Sequence, residues 1–149
     1  MGVALAEARI ALELNEVPVG AVLLFGQDPQ VAKVIARRHN ERETTADPTA
    51  HAEMLAIRDG AEIMGSWRLA GTTLVVTLEP CPMCAGALVA ARVDRVVFGA
   101  ADPRGGSCGS LYNLCGDPRL NHEVEVIAGV RESEAAQLLT GFFSRKRSD

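Results

Sequence analysis

Two short stretches constrain this chain more than anything else in it: His51-Ala52-Glu53 and, thirty residues after the histidine, Pro80-Cys81-Pro82-Met83-Cys84. One imidazole and two thiols at Cys-x2-Cys spacing are three good ligands for Zn2+. Structural zinc sites are closed by four protein ligands, whereas catalytic ones keep three and leave the fourth position to water. Asp47-Pro48-Thr49 leads into the first group and Glu79-Pro80 into the second, so both read as the point where a loop or strand enters a helix. Helical side chains tilt toward the N-terminus, and ligands in two opening turns can therefore converge beyond both helix ends. The positive dipole ends there favour thiolate over thiol. Residues at i and i+2 do not share a helix face. His51 and Glu53 can reach one site only if their helix starts at Ala50, give or take about two residues.

The rest of the chain is read around that pair. Val3, Ala6, Ile10 and Leu14 are spaced for one helical face over residues 3–15. Residues 17–25 read as a buried strand, Gly26-Gln27-Asp28-Pro29 as a turn and residues 31–36 as the returning strand of a hairpin. The polar stretch 37–47 suits an active-site loop. A helix over 50–64 stops near Gly65, a β-branched strand follows over 71–77, and Pro82 suits the first turn of a helix over 82–91. Strands at 93–99 and 123–128 flank a long Gly-, Cys- and Pro-containing connection of a kind that is often functional. An amphipathic helix over 132–147 ends the order α-β-β-α-β-α-β-β-α. Helices alternating with short strands imply one sheet covered on both faces, and the opening hairpin makes it mixed. A chain of 149 residues is long enough to bury its core as a single domain, residues 1–149.

Composition excludes little more. No apolar run approaches the roughly 20 residues that span a bilayer. The first residues lack a charged segment followed by a long apolar one, so a cytoplasmic location is expected. Cys108 and Cys115 could pair, but a reducing compartment favours free thiols. The formal net charge of −4 does not advertise a nucleic-acid partner, although binding follows local potential. Positive charge concentrates in Arg37-Arg38 and in Arg145-Lys146-Arg147.

His39, His122, Cys108 and Cys115 could in principle supply a fourth ligand, but none has tight spacing to the trio. The expected site is therefore open. Zinc lowers the pKa of a bound water from about 15.7 to about 7. Glu53 would take that water's proton and deliver it to a ring nitrogen and then to a departing amine, which is a hydrolytic deamination. The plainer alternative for Glu53 is a helix-start carboxylate, worth up to about 1 kcal/mol.

Asp47-Pro48-Thr49-Ala50-His51-Ala52-Glu53 and Leu78-Glu79-Pro80-Cys81-Pro82-Met83-Cys84-Ala85-Gly86-Ala87 resemble the zinc signature of the cytidine-deaminase-like superfamily. Guanine and cytosine deaminases share that signature. Glu16-Val17-Pro18-Val19-Gly20-Ala21-Val22, Arg95 to Ala100 with Asp102, Gly109-Ser110-Leu111, Leu120-Asn121-His122 and Leu138-Leu139-x-x-Phe142-Phe143 narrow the resemblance to the bacterial tRNA-specific adenosine deaminases. The resemblance covers nearly the whole chain. It implies a three-layer α/β/α sandwich on a central mixed five-stranded sheet, one Zn2+ per subunit held by His51, Cys81 and Cys84, and a homodimer. The implied reaction converts adenosine to inosine at the wobble position of a tRNA anticodon stem-loop. By the same resemblance Asn40 contacts the target nucleotide and Val19 lines the base pocket. The Ala52 and Cys81 N–H groups lie near the reactive oxygen, and Asp102 meets the nucleic-acid backbone. Phe143, Arg145 and Arg147 meet the anticodon loop, with one of the two adjacent phenylalanines packed inward and the other free to stack.

Several residues between Phe25 and Lys33 exceed the family pattern and are expected at the hairpin tip. Ala101 stands where a basic residue is usual, and Cys108 is unexpected in its loop. The competing readings are a deaminase of a free base or nucleoside and a non-catalytic zinc module that binds RNA.

Overall fold

The computed structural model describes residues 1–28 and 30–149; Pro29, in the expected turn, lies outside the described residues. The elements are α1 (Gly2–Glu13), β1 (Gly20–Phe25), β2 (Lys33–His39), a single-turn α2 (Arg42–Thr45), α3 (Ala52–Met64), β3 (Thr72–Leu78), α4 (Pro82–Ala90), β4 (Arg95–Ala100), β5 (Glu125–Ile127) and α5 (Glu132–Ser148). The strands form one sheet in the order β2-β1-β3-β4-β5. β1 is antiparallel to both β2 and β3, and β3, β4 and β5 run parallel. α3 packs on β1, β2 and β3 and against α4, while α1 and α5 pack on the sheet and on each other. The expected mixed five-stranded α/β/α sandwich is therefore the observed one.

Three differences have physical causes. Val3, Ile10 and Leu14 point outward, and the buried face of α1 is Ala4, Leu5, Glu7, Ala8 and Ala11. Gly20 explains this: a Cβ there would collide with the Ala4 carbonyl and lie 2.6 Å from the Ala8 nitrogen. The helix sits so close to β1 that only its alanine side fits over Gly20, while Leu5 packs beside it with Ala100 and Ala135 and the outer apolar side chains turn away.

β1 begins at Gly20 rather than at residue 17, because Pro18 has no N–H for a ladder and the Val19 N–H closes a tight turn onto the Val17 carbonyl at 2.8 Å. β2 runs on through Arg37, Arg38 and His39, where a loop was expected. As an edge strand it can carry polar residues, and ion pairs anchor them. Arg37 Nε and His39 Nδ1 both reach the Glu7 carboxylate, at 2.7 and 2.8 Å, and Arg38 reaches Asp59 at 2.9 Å.

α3 begins at Ala52 with His51 as its N-cap, and Gly65 ends it in the left-handed conformation with φ 63°. No helix is long and apolar enough to cross a membrane among the described residues.

Candidate metal centre and active site

Both metal-ligand groups sit at helix N-caps, as their spacing requires. His51 caps α3 and Cys81 caps α4, both with extended backbone, and Pro82 fills the first position of α4. His51, Cys81 and Cys84 place one ligand atom each within 4.8 Å of one another. His51 Nδ1 lies 3.6 Å from Cys81 Sγ and 3.5 Å from Cys84 Sγ. A tetrahedral zinc with Zn–S of about 2.3 Å and Zn–N of about 2.0–2.1 Å holds N and S roughly 3.5 Å apart. The triangle thus has the dimensions of a zinc site, and two thiols with an imidazole have the softness zinc prefers.

The thiols are electrostatically primed. The Cys84 hydrogen bond and the His51 imidazole outweigh burial and draw Cys81 down to about 4. The hydrogen bond with Cys81 and then burial push Cys84 up. His51 is raised chiefly by its hydrogen bond to Cys81. Glu53 is 4% exposed. Burial pushes its carboxyl up to about 7, against the opposing pull of its own backbone N–H and of His51.

The other candidate ligands are engaged elsewhere. His39 pairs with Glu7, and His122 Nε2 lies 2.7 Å from the Val93 carbonyl. Cys108 and Cys115 are buried free thiols with sulfurs 3.6 Å apart.

A cavity of about 180 Å³ opens beside the triangle, lined by Val17, Val19, Asn40, Arg42, His51, Glu53, Leu78, Glu79, Cys81, Asp102 and Phe143. It gathers Val19, Asn40, Asp102 and Phe143 around the metal group. The Ala52 N–H, expected near the reactive oxygen, has a partner in the cavity-lining Asn40. It donates to Asn40 Oδ1 at 2.8 Å, because the first amide of a helix has no intrahelical acceptor. An N–H donor at that position fixes the Asn40 oxygen toward the helix, which leaves the amide NH2 for the cavity.

Phe142 is buried at 6% exposure and Phe143 stands out at 45%, their rings edge to face at 5.3 Å. Arg145 and Arg147 are not brought to the metal group. Arg145 lines a separate cavity with Leu12, Asn15 and Phe142, and Arg147 bonds within its own helix to Ser144 Oγ at 3.4 Å.

Sequence reasoning missed Arg42 and Glu79. Arg42 belongs to the unforeseen α2, whose following backbone Ala46 closes in the left-handed region. Buried Glu16 fastens that turn by accepting the Thr44 N–H at 2.6 Å. Glu79 carried a visible signal as a lone charge at the end of an apolar strand.

The class these features define is the deaminase-like fold, and the family model for MafB19-like deaminases matches residues 1–147. A tRNA-specific adenosine deaminase of Bacillus subtilis is 52% identical over 144 residues, covering 97% of this chain and 86% of that protein. Its counterpart of the same name in Agrobacterium fabrum is 46% identical over 149 residues, covering 100% and 95%. A solved structure from studies of A-to-I editing by tRNA:A34 deaminases at the wobble position superposes with a TM-score of 0.87 at 45% identity, covering 93% of this chain and 97% of that one. The chain belongs to the tRNA-specific adenosine deaminase family.

Proposed function

We propose that this chain is a zinc-dependent hydrolytic deaminase that converts adenosine to inosine at the wobble position of a tRNA anticodon. One observation carries the reading. In a chain 52% identical to a tRNA-specific adenosine deaminase, the buried Glu53 carboxylate shares its cavity with His51 and Cys81 of a triangle sized for zinc.

His51 Nδ1 and the Cys81 and Cys84 sulfurs would hold one Zn2+ per subunit. When bound, zinc supplies the Lewis acidity that makes water nucleophilic near neutral pH. Glu53 takes a proton from the attacking water, passes it to a ring nitrogen of adenine, and then gives a proton to the amine that leaves. Adenosine and water become inosine and ammonia. Val19 forms a wall of the base pocket, the Asn40 NH2 donates to the base, Phe143 stacks on a neighbouring base, and Asp102 meets the RNA backbone. Base–aromatic stacking of this kind contributes about 1–3 kcal/mol. Ala52 serves through the hydrogen bond that its N–H donates to Asn40.

Arg145 and Arg147 would act further out, on the stem-loop phosphates. The single deaminase domain would work in the cytoplasm as a homodimer, the dimer resting on the family resemblance. Exposed Trp67, Leu111 and Tyr112 are apolar surface that such pairing could cover, and light scattering measures it.

The zinc-loaded protein should form inosine in an anticodon stem-loop carrying a wobble adenine and leave free adenosine, cytosine and guanine unchanged. Turnover of a free base with none of the stem-loop would sink the reading.

A further inference from the structure

Glu79 ends the segment that carries β3 into the second ligand group. It is 2% exposed, and four donors close on its carboxylate. The Asp102 N–H donates to Oε1 at 3.1 Å, and the Cys108 and Ser110 N–H groups donate to Oε2, each at 3.1 Å. The Ser110 hydroxyl donates to Oε1 as well. All four come from residues 102–110, a segment with neither helix nor named strand of its own. Its backbone is shaped to the carboxylate: a Cβ at Gly106 would overlap it.

The same segment is fastened to the ligand loop by the Ser107 N–H, which donates to the Pro80 carbonyl at 2.8 Å. Asp102 lines the catalytic cavity, and its Oδ1 is oriented by the Arg104 N–H at 3.0 Å. Bonds to an ionised acceptor are roughly twice as strong as neutral ones. A carboxamide could not replace this acceptor. Its NH2 would face either the Asp102 N–H or the Cys108 and Ser110 N–H groups, donor against donor.

We propose that Glu79 is a positioning residue that fixes Asp102 at the mouth of the catalytic cavity and so sets the affinity for the RNA backbone around the target nucleotide. This assignment rests on the tRNA reading above. Glu79 acts through the Asp102 backbone and touches neither the base nor the reacting atoms.

The test is a double-mutant cycle on a wobble-adenine stem-loop, with metal content measured for every variant. Glu79→Gln should raise KM on the order of tenfold with kcat changed by less than about threefold, the pattern of lost uniform binding. Asp102→Ala should do the same, and the double variant should be no worse than either single one, because the two act as one unit. A loss confined to kcat, an unchanged KM in Asp102→Ala, or effects that multiply in the double variant would each overturn the assignment. If Glu79→Gln fails to fold or loses its metal, Ser110→Ala removes one donor only. It should raise KM about threefold in the parent, in keeping with one lost hydrogen bond, and not at all beside Asp102→Ala; a rise that persists there overturns the assignment. Wild-type protein that makes no inosine refutes the tRNA reading and this assignment with it. Wild-type protein that makes inosine, with a cycle that multiplies, refutes the Glu79 assignment alone.

Discussion

At Asn40 the side-chain oxygen is engaged by the first amide of α3, while the NH2 remains for the cavity. Two substitutions separate these roles. Asn40→Ala removes the cap and should destabilise the metal-loaded protein by about 1 kcal/mol besides weakening substrate binding. Asn40→Asp keeps an acceptor for Ala52 and loses the NH2, so thermal unfolding should stay near the parent while kcat/KM falls. Equal loss of stability in both variants would show that the oxygen does not cap the helix. The His51–Glu53 pair was legible from local arithmetic alone, since i and i+2 demand a helix start between them and the cavity. Glu79 stood out as a lone charge after an apolar strand, but its role was not legible, because its partners lie 23 to 31 residues further along the chain.

Between elements, the charged clamp on α1 decides how the edge strand is held. Burial raises the Glu7 carboxyl, but hydrogen bonds from His39 and Arg37 outweigh it and leave the group below its ordinary 4.5. A depressed carboxyl stabilises the fold at pH values above the unfolded-state value and loses that contribution as pH falls through the folded one. Glu7→Gln should therefore be less stable than the parent near neutrality, by about 1–3 kcal/mol for a buried charged hydrogen bond. The gap should close below pH 4.5, as chemical denaturation across a pH series would measure. A gap that widens in acid would contradict the clamp. Every helix but the single-turn α2, and most strand positions, followed from the sequence pattern, yet the face of α1 did not. Its small-residue side is chosen by Gly20, a distant partner with no side chain, and β2 outran its expected end because Glu7 and Asp59 neutralise its arginines.

At the scale of the whole molecule, the sheet serves to bring two helix openings together: α3 packs on β1, β2 and β3, and α4 follows β3 at one end of the sheet. A metal held there joins elements distant in sequence, so its removal should lower thermal stability in proportion to the binding linkage. Chelation should release one metal per chain and make one thiol reactive, the half-buried Cys81 whose pKa is drawn down. Cys84, Cys108 and Cys115 should stay protected until unfolding, because all three are buried. Mass mapping of labelled cysteines checks this, and early labelling of Cys108 or Cys115 would contradict it.

The central claim is that three residues hold the metal and a fourth moves the protons. Glu53→Gln tests it most directly, with bound zinc and inosine formation measured on the same preparation. One zinc per chain should be retained and the rate should fall by about 10²–10⁴-fold, the usual contribution of general acid–base catalysis. Loss of the zinc together with activity would make Glu53 a ligand, and an unchanged rate would remove it from the reaction.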